Sequence, residues 1–451
     1  MKIWIRGAGD LATGIASRLY RSGHQLLMTE LPVPLTVRRT VALSRAVYEQ
    51  HAEVEDMSAL LVHSIKEALE VQAIGKIPVI IEEPEVILKE YQPDVVVDAI
   101  LAKRNLGTEI SWAPFVVGVG PGFTAGVDCH CVVETKRGHT LGDVIWEGEP
   151  IPNTGVPGNV GGFTLERLIK ATADGVIEPK VQIGDIVEKG QLVAITGGKP
   201  VYAKMSGIVR GMLQPGVTVQ KNLKVGDIDA RCERKNCYLI SDKARAIGGG
   251  VLEAVTQFER IYGQYAVVVL AAGSGSRFGG NKLQELKSDK PMYQYMLDKM
   301  EGLKGFPTYI VTGADDIAEA ARKYGMKIVE NKKPEEGISR SVKLGLETCL
   351  AEHPEIKGIL FSVCDQPELT FSTMFTLIRK AMLRPQQIIC TGKDKEMGNP
   401  VLLDKKYFPE LMELTGDVGG KKVMQNHLQD IIIVEIDEAE LKDIDYRRDL
   451  E

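Results

Sequence analysis

One segment of this sequence combines small residues with two cations in a spacing that suits phosphate chemistry. The apolar run Ala266–Leu270 leads into the Gly- and Ser-rich stretch Ala271–Gly280, which carries Arg277 and is followed by Lys282. Small residues let backbone N–H groups approach phosphate oxygens, whereas Arg277 offers two parallel donors and Lys282 a point charge. We therefore predict nucleoside triphosphate binding, with an ordinary strand-to-loop turn as the alternative. The predicted nucleotide-binding residues of this stretch are Leu270, Ala271, Ala272, Gly273, Ser274, Gly275, Ser276, Phe278 and Gly279.

An aspartate farther along the sequence is placed to hold a divalent cation. The pattern of Ile359–Val363 predicts a central strand, so Asp365 is expected at its carboxyl end, where open α/β sheets bind ligands. Mg²⁺ is usually held by one or two carboxylates together with substrate phosphates. We therefore predict that Asp365 is the primary metal ligand and is catalytic together with Arg277 and Lys282. Asp417 is the candidate second ligand, with a solvated turn aspartate as the alternative.

A second glycine turn lies at the start of the sequence. After the strand-like run Lys2–Ile5, the segment Gly7–Ala12 has the G-x-G-x-x-A spacing, and Glu30 stands 21 residues past Gly9. This spacing predicts a dinucleotide site with NAD(P) as the candidate cofactor. The pair Arg38–Arg39 could meet a phosphate instead, and a tight turn without a ligand is the alternative. The predicted cofactor-binding residues are Gly7, Ala12, Gly9 and Glu30.

Secondary-structure patterns divide the sequence into segments that are mainly of the α/β class. Continuously apolar, β-branched runs near both ends predict parallel sheets buried on both faces, and a middle block of short alternating strands predicts a small all-β unit. The predicted segments are a Rossmann-like dinucleotide-binding-type domain (1–110), a Gly-rich connecting region (111–165), a small β domain (166–246), a linker (247–263) and a second Rossmann-like domain (264–451).

The composition fits a folded chain and excludes some classes of function. The 451 residues are 44% hydrophobic and carry a net charge of −6, so DNA or RNA is not expected as a main ligand. No window approaches the roughly 18 continuous apolar residues of a membrane span, and the start lacks a signal-peptide pattern. We expect a cytoplasmic, soluble protein without membrane association, in which the 7 cysteines are reduced. The segment Asp128–Cys131 could bind a metal, but buried cysteines and a hydrogen-bonded histidine are the preferred interpretation.

The middle block resembles the lipoyl/biotinyl carrier type of barrel sandwich hybrid over roughly residues 174–230. The resemblance rests on the turn spacing of "GDIVEKGQLVAI" and "AKMSGIVRGML". Because Lys199 lies only four residues before Ala203 and Lys204 follows it, the hairpin that presents a modified lysine in that family looks truncated. We therefore expect an unmodified barrel that serves as a spacer or docking module.

The sequence from Tyr265 onward resembles the MobA-like nucleotidyltransferases of molybdenum-cofactor biosynthesis. The motifs that carry the resemblance are Leu270–Lys282, Lys290–Pro291, Asn331–Ser341, Cys364–Pro367, Gly398–Pro400 and Thr415–Gly420. The resemblance implies that Gly337 and Ser339 line the base and ribose pocket and that Gly398–Pro400 shape the acceptor side. Family members with Ala-Ala-Gly, as at Ala271–Gly273, look like CTP users. The implied reaction transfers CMP from CTP to molybdenum cofactor and releases pyrophosphate. Cys364 replaces the glycine that usually precedes the metal-binding aspartate.

Residues 1–255 resemble the YqeB-type accessory proteins of selenium-dependent molybdenum hydroxylases. The resemblance rests on Arg6–Gly14, Gly120–Phe123, Glu134–His139, Gly226–Arg231, Ile240–Lys243 and Ile247–Leu252. It implies a maturation role, with a hydroxylase apo-enzyme of the xanthine dehydrogenase or purine hydroxylase type as partner. A nucleotidyltransferase acting on a sugar phosphate or another phosphorylated alcohol is one alternative. A non-catalytic, nucleotide-sensing module that docks on a hydroxylase is the other.

Overall fold

The computed structural model describes residues 1–153, 155, 161–273, 278, 280–394 and 396–450. The chain divides into two compact units, an N-terminal unit of Met1–Val255 and a C-terminal unit of Thr256–Glu451. Both units contain helices and sheets, so the predicted mixed α/β class is confirmed. Among the described residues, none of the helices has the length and apolar character needed to cross a membrane.

The N-terminal unit contains a large sheet whose central strands are buried on both faces. Its strands are β1 (Lys2–Arg6), β2 (Gln25–Thr29), β3 (His51–Val54), β4 (Met57–Val62), β5 (Ile77–Ile80), β6 (Val95–Asp98), β7 (Phe115–Val119), β8 (Cys131–Val133) and β9 (Val144–Ile145). In the described ranges these nine strands have the order β3-β4-β5-β2-β1-β6-β7-β8-β9. Only the β3–β4 and β8–β9 pairs among them are antiparallel. The run β5-β2-β1-β6-β7-β8 matches doubly wound nucleotide-binding sheets, whose strand order reverses beside the first strand.

Five α-helices are assigned within or starting in this unit, over the part of the chain that the structure describes. They are α1 (Asp10–Arg21), α2 (Ala46–Glu49), α3 (Ile65–Ala73), α4 (Pro84–Val86) and α5 (Asp242–Ile261). Helix α3 begins after Ser64, whose hydroxyl accepts a hydrogen bond from the Glu67 amide as an N-cap. Helix α1 begins after Gly9, which has no side chain to cap it.

The large sheet runs past the predicted boundary at residue 110. Strands β7, β8 and β9 lie inside the segment predicted as a Gly-rich connecting region (111–165), and β7 and β8 are fully buried. Dense Gly and Pro residues around Phe115–Val119 and Cys131–Val133 concealed two short apolar runs of the type that buried parallel strands use. The connecting region therefore contributes strands to the first domain.

Helix α5 occupies most of the predicted linker (247–263). Its glycines are packing positions, because a Cβ on Gly248 would lie 2.5 Å from the Gly14 carbonyl oxygen of α1 and one on Gly250 would lie 2.1 Å from the Gly142 carbonyl oxygen. The Gly-rich run Ala246–Gly250 thus permits close backbone contact within a helix and does not mark a flexible link.

Two small antiparallel sheets form the β-rich part of the N-terminal unit. Their strands are β10 (Leu168–Lys170), β11 (Gly175–Pro179), β12 (Ile186–Val187), β13 (Leu192–Thr196), β14 (Lys199–Tyr202), β15 (Gly207–Met212), β16 (Thr218–Val219) and β17 (Lys224–Asp229). The orders are β10-β17-β15-β12 and β14-β13-β11-β16. A shared apolar core that includes Ile177, Val193, Val209 and Ile228 holds them together. The likeness to a lipoyl/biotinyl barrel, and the unmodified state of Lys199 and Lys204, stay predictions.

The C-terminal unit is built around a second, mostly parallel sheet. Its strands are β18 (Tyr265–Leu270), β19 (Leu286–Lys287), β20 (Lys290–Pro291), β21 (Thr308–Thr312), β22 (Lys327–Glu330), β23 (Gly358–Val363), β24 (Ile388–Lys393), β25 (Glu396–Asp404) and β26 (Ile431–Glu435). The main sheet has the order β22-β21-β18-β23-β25-β24-β26, while β19 and β20 form a separate hairpin. Strand β25 is antiparallel to both of its neighbours, and the other adjacent strands of the main sheet are parallel.

The helices of the C-terminal unit connect these strands. They are α6 (Met292–Lys299), α7 (Asp315–Lys323), α8 (Ile338–Glu352), α9 (Phe371–Leu383), α10 (Phe408–Glu413), α11 (Lys421–Asn426) and α12 (Glu438–Leu441). The central strands β18 and β23 are parallel and pair along their whole length, from Tyr265 with Gly358 to Leu270 with Val363. Their carboxyl ends therefore lie side by side.

The contact between α1 and α5 yields a stability prediction. Gly14→Ala places a Cβ 2.5 Å from Ala244 Cβ and 2.7 Å from the Ala244 carbonyl oxygen, so the helices must separate. We expect a loss of about 1–3 kcal/mol, as is usual for overpacking. The matched control Gly249→Ala places its Cβ more than 4 Å from every atom of the described residues outside α5 and should stabilise α5 by about 0.5–1 kcal/mol.

Tryptophan fluorescence during urea unfolding measures this difference in the full chain. The 3 tryptophans, Trp4, Trp112 and Trp146, all lie in the N-terminal unit, so their signal reports that unit alone. Equal midpoints for Gly14→Ala and Gly249→Ala would contradict the packing role of Gly14.

Candidate active site

The three residues that follow β18, Ala271–Gly273, become progressively more exposed. The Ala271 amide donates a hydrogen bond of 2.8 Å to the Val311 carbonyl on β21, so Ala271 is still fixed to the sheet. Ala271 is buried, Ala272 is half-buried and Gly273 is exposed, and no atom of the described residues lies within 4 Å of the position of a Cβ on Gly273. The predicted residues Ser274, Gly275, Ser276, Arg277 and Gly279 lie outside the described residues.

Phe278 anchors the far side of this loop. It is 5% exposed and packs in a small apolar cluster with Met292, Ile444 and the partly buried Leu283. The Arg447 guanidinium lies 5.3 Å from the centre of the Phe278 ring. The structure therefore gives Phe278 a packing role beside the loop, and nucleotide contact by Phe278 stays a prediction.

Lys282 is the centre of an ion-pair cluster. Its Nζ donates a hydrogen bond of 2.7 Å to Asp365 Oδ2 and another of 3.1 Å to Asp445 Oδ1. The Lys282 side chain is 10% exposed. Burial opposes its charged form, but Asp365 and Asp445 outweigh burial and raise the pKa of Lys282. The structure thus joins two of the predicted catalytic residues, Lys282 and Asp365, through a charged ammonium group.

Two acidic residues of this cluster were missed in the sequence. Ile444 is buried, and its amide donates a hydrogen bond of 3.0 Å to the Asp365 carbonyl, which fixes the segment Asp443–Asp445 beside the end of β23. Partial burial, and then the charges of Asp365 and Asp445, raise the pKa of Asp443 to about 6. A pair of aspartates around one apolar residue was the available signal, but nothing in the sequence places that pair next to Asp365.

The cluster suits a divalent cation that also contacts phosphates. Oδ1 of Asp365 is buried and has no hydrogen-bond partner among the described residues. Asp443 and Asp445 add carboxylates close enough for their charges to interact with that of Asp365. In the described ranges, no group of three or more His, Cys, Asp or Glu residues could hold a metal by itself. One or two of these carboxylates together with substrate phosphates would form a usual Mg²⁺ ligand set.

Gly337, Ser339 and Asp417 meet in a second part of the unit. Gly337 has φ of +90° and is the N-cap of α8, and a Cβ on it would lie 2.4 Å from the Gly416 carbonyl oxygen. The Ser339 amide donates to the same oxygen at 3.3 Å. Asp417 is exposed in the loop that follows. The predicted roles of Gly337 and Ser339 in nucleotide binding and of Asp417 in metal binding stay predictions.

The predicted cofactor-binding residues of the N-terminal unit, Gly7, Gly9, Ala12 and Glu30, all line one cavity of about 1040 Å³. Glu30 accepts hydrogen bonds from the Ala8 amide at 3.3 Å and the Leu31 amide at 2.7 Å, so it holds the glycine turn. Burial raises the pKa of Glu30. The fingerprint and its acid therefore share one site, while NAD(P) stays a prediction.

The Cys129–Cys131 segment has structural contacts. Cys129 and Cys131 are buried, and burial raises the pKa of the Cys129 thiol. His130 Nδ1 accepts a hydrogen bond of 3.0 Å from the Val116 amide. These contacts agree with the preferred interpretation of buried cysteines and a hydrogen-bonded histidine.

Comparison with known proteins separates two regions of similarity. Residues 267–431 match the family model of the MobA-like NTP transferase domain. The chain is also 48% identical over 251 residues to the uncharacterized protein YqeB of Escherichia coli K12, a match that covers 56% of this chain and 46% of YqeB. The chain joins a YqeB-type segment to a MobA-like NTP transferase domain. The MobA-like domain supports nucleotidyltransferase activity.

Two further comparisons give weaker likenesses. Over 80 residues, the chain is 34% identical to a probable molybdenum cofactor guanylyltransferase of Thermococcus gammatolerans, covering 17% of this chain and 42% of the relative. The chain spans less than half the length of these curated relatives. The crystal structure of Rv0371c from Mycobacterium tuberculosis is 23% identical, with 42% of this chain and 96% of that chain covered and a TM-score of 0.35.

The raised pKa of Asp443 yields a pH prediction. An unfolded aspartate has a pKa near 3.9, so the folded chain holds the proton of Asp443 more tightly than the unfolded chain does. This difference stabilises the folded chain at low pH, and the stabilisation is lost as the pH rises from about 4 through about 6. Asp443→Asn keeps a neutral side chain and should lose less stability over this range than the wild type. Urea unfolding at pH 4.5 and 7, followed by circular dichroism, measures the transition that tryptophan fluorescence does not report.

Asp289→Asn is the matched control, because Asp289 is an exposed aspartate outside the cluster. A pH dependence that is the same in Asp443→Asn and in the wild type would show that Asp443 does not titrate as described.

Proposed function

We propose that the C-terminal unit transfers CMP from CTP to the terminal phosphate of molybdenum cofactor. The observation that supports this most directly is the Lys282–Asp365–Asp445 cluster at the carboxyl end of β23. In the reaction, an acceptor phosphate oxygen forms a bond to the α-phosphorus of CTP. The bond between the α-phosphorus and its bridging oxygen breaks, and pyrophosphate leaves. No covalent enzyme intermediate is required.

The residues of the C-terminal unit position the substrates and neutralise the charge of the phosphates. Lys282 stays protonated in its acidic surroundings, so it can bind a phosphate oxygen without giving up a proton. Arg277 is proposed to act with it on the triphosphate. Asp365, with Asp443 or Asp445 beside it or with Asp417, would hold Mg²⁺, which neutralises charge on the phosphates when bound. Catalysis by this set is electrostatic, as in other phosphoryl and nucleotidyl transfers.

The choice of CTP rests on a short motif. Ala271, Ala272 and Gly273 have the Ala-Ala-Gly pattern that resembles CTP users, in which a methyl group replaces the hydrogen of a second glycine. The Thermococcus relative is named as a guanylyltransferase, so GTP is the nucleotide to compare. We further propose that the dinucleotide product is delivered to a molybdenum hydroxylase apo-enzyme, since the YqeB-type segment resembles accessory proteins of those enzymes.

Pyrophosphate release by the purified full chain tests the reaction. With Mg²⁺ present, we expect release from CTP to exceed release from GTP or ATP and to require molybdenum cofactor. Release only from GTP would overturn the nucleotide choice. Turnover with a sugar phosphate in the absence of molybdenum cofactor would overturn the acceptor. Binding of CTP without release from any nucleotide would favour a nucleotide-sensing role.

Lys282→Ala tests the centre of the cluster. Loss of one preorganised donor to the developing charge should lower kcat by roughly 10²-fold or more. Lys323→Ala is the matched control, because Lys323 is exposed at the end of α7. Near wild-type pyrophosphate release by a folded Lys282→Ala variant would remove Lys282 from the mechanism.

A further inference from the structure

The large cavity of the N-terminal unit is not used by the proposed transferase reaction. It lies at the carboxyl ends of β1 and β2, where Gly7 and Glu30 follow the strands, and it extends to residues of β15 and α5. Its volume of about 1040 Å³ is at the upper end of the roughly 300–1,000 Å³ usual for small-molecule sites. The cavity is therefore large enough for an extended ligand.

The lining of the cavity has an excess of positive charge. Eight lysines and arginines line it, against five aspartates and glutamates. Some cations are neutralised locally, as in the pair of Arg167 Nη2 and Asp227 Oδ2 at 2.9 Å and the bidentate pair of Arg137 and Asp242. Arg6 and Lys224 are paired as well, with Asp98 at 3.0 Å and Asp227 at 3.2 Å, so the positive charge that needs another explanation lies mainly on Arg210 and Lys243.

Arg210 on β15 is the most informative of these cations. It is 7% exposed, its Nε has no hydrogen-bond partner among the described residues, and its nearest carboxylate, on Asp229, lies 4.0 Å away. Asp229 is already engaged by Arg231 at 2.6 Å. A buried guanidinium without a close partner is costly unless a ligand completes its hydrogen bonds. Because Arg210 lines the cavity, that ligand is expected to be an anion.

Neighbouring cations reinforce this need for an anion. Burial, and then the charge of Arg210, lower the pKa of Arg38, so the two guanidinium groups repel each other in the cavity wall. Burial, and then the charge of Arg137, likewise lower the pKa of Lys243 at the start of α5. A phosphate between these groups would replace their mutual repulsion with charge-assisted hydrogen bonds.

The glycine turn that lines the same cavity has the features of a phosphate-binding turn. Gly9 lines the cavity as the N-cap of the 12-residue helix α1, whose first turn has no side-chain cap. The N-terminus of such a helix favours negative charge. Asp10 in that turn is offset by Arg38, whose Nη1 lies 3.6 Å from Asp10 Oδ2. Glu30 at the end of β2 is in the position of a ribose-binding acid.

We propose that this cavity binds a dinucleotide, with its pyrophosphate bridge at Gly9 and its phosphate charge neutralised by Arg210 and Lys243. The glycine turn alone predicts such a ligand from spacing, but the cations come from β15 and α5, which lie far from the turn in the sequence. The site is independent of the transferase reaction. It makes the N-terminal unit a dinucleotide-binding module in its own right.

Three variants of the full chain test separate features of this site. Arg210→Gln and Lys243→Gln each remove one cation. Gly9→Ala adds a methyl group whose nearest neighbour in the protein is Thr36 Oγ1 at 3.6 Å, an ordinary contact, so the fold should be retained while the methyl group blocks the phosphate. The matched controls are Arg234→Gln, at an exposed arginine outside the cavity, and Gly249→Ala.

Calorimetric titration with NAD⁺, NADP⁺ and inorganic pyrophosphate measures the effect. We expect at least one dinucleotide to bind with Kd below about 1 mM, and each of the three variants to weaken it by roughly tenfold or more. The controls should bind like the wild type. Comparison of NAD⁺ with NADP⁺ then identifies which dinucleotide the site prefers.

Two results would overturn the proposal. One is a wild-type protein that binds neither dinucleotide at millimolar concentration, even if it binds pyrophosphate. The other is that Gly9→Ala and Lys243→Gln leave dinucleotide binding unchanged in folded protein, or that Arg234→Gln weakens dinucleotide binding as much as they do. Because Lys243 is only half-buried, its variant keeps the test valid should Arg210→Gln fail to fold.

Discussion

In an open parallel sheet, the chain winds in opposite directions on the two sides of a central strand pair, which leaves a crevice at the carboxyl ends of that pair. The candidate sites of both units depend on this crevice. In the N-terminal unit the pair is β1 and β6, and a Cβ on Gly7 would lie 3.1 Å from the Ala99 carbonyl oxygen. In the C-terminal unit the pair is β18 and β23, which brings Ala271 and Asp365 to one edge of the sheet. The residues that follow these strands lie close together because the strands pair. The helices and loops that connect the strands can therefore vary without separating these residues.

The charges of the two crevices are arranged in opposite ways. In the C-terminal unit, Lys282 is held by two carboxylates, so the positive charge of the lysine is neutralised inside the protein. A bound triphosphate would attract the lysine, and its cation would attract the carboxylates. Binding would therefore replace the lysine–carboxylate contacts with contacts to the ligand. In the N-terminal unit, Arg210 has no carboxylate of the described residues closer than 4.0 Å, so its charge is left for an anion to neutralise. Buried ion pairs add little net stability, which makes a binding role the better explanation for both arrangements.

Local patterns in the sequence predicted much of the fold and part of the site. The apolar runs and glycine turns identified β1, β18 and β23, and the ends of these strands located Gly7, Ala271 and Asp365. Two errors came from reading glycine as a mark of loops. Strands β7 to β9 lie among glycines, and the glycines of α5 permit close contact with α1. In a sequence, a glycine that permits close packing looks the same as a glycine that forms a turn. The two can be distinguished only when the element that packs against the glycine is known.

The residues that were missed share a dependence on distant contacts. Asp443 and Asp445 reach Asp365 through the buried Ile444, and Arg210 comes to line the same cavity as the glycine turn because β15 packs within the N-terminal unit. No spacing rule connects such residues, because the separation along the chain carries no information about the contact. The loop that bears Arg277 lies outside the described residues, so its predicted role rests on the sequence.

The contact between Lys282 and Asp445 also limits when the C-terminal unit can mature during synthesis. The two residues are 163 positions apart, so a ribosome must translate almost the whole unit before the second carboxylate exists. Until then, Lys282 of a nascent chain can pair with Asp365 alone. Contacts of such long range slow folding, because the closure of a large loop precedes the gain from the contact. Acquisition of the charge cluster is therefore a late event in the biogenesis of this protein.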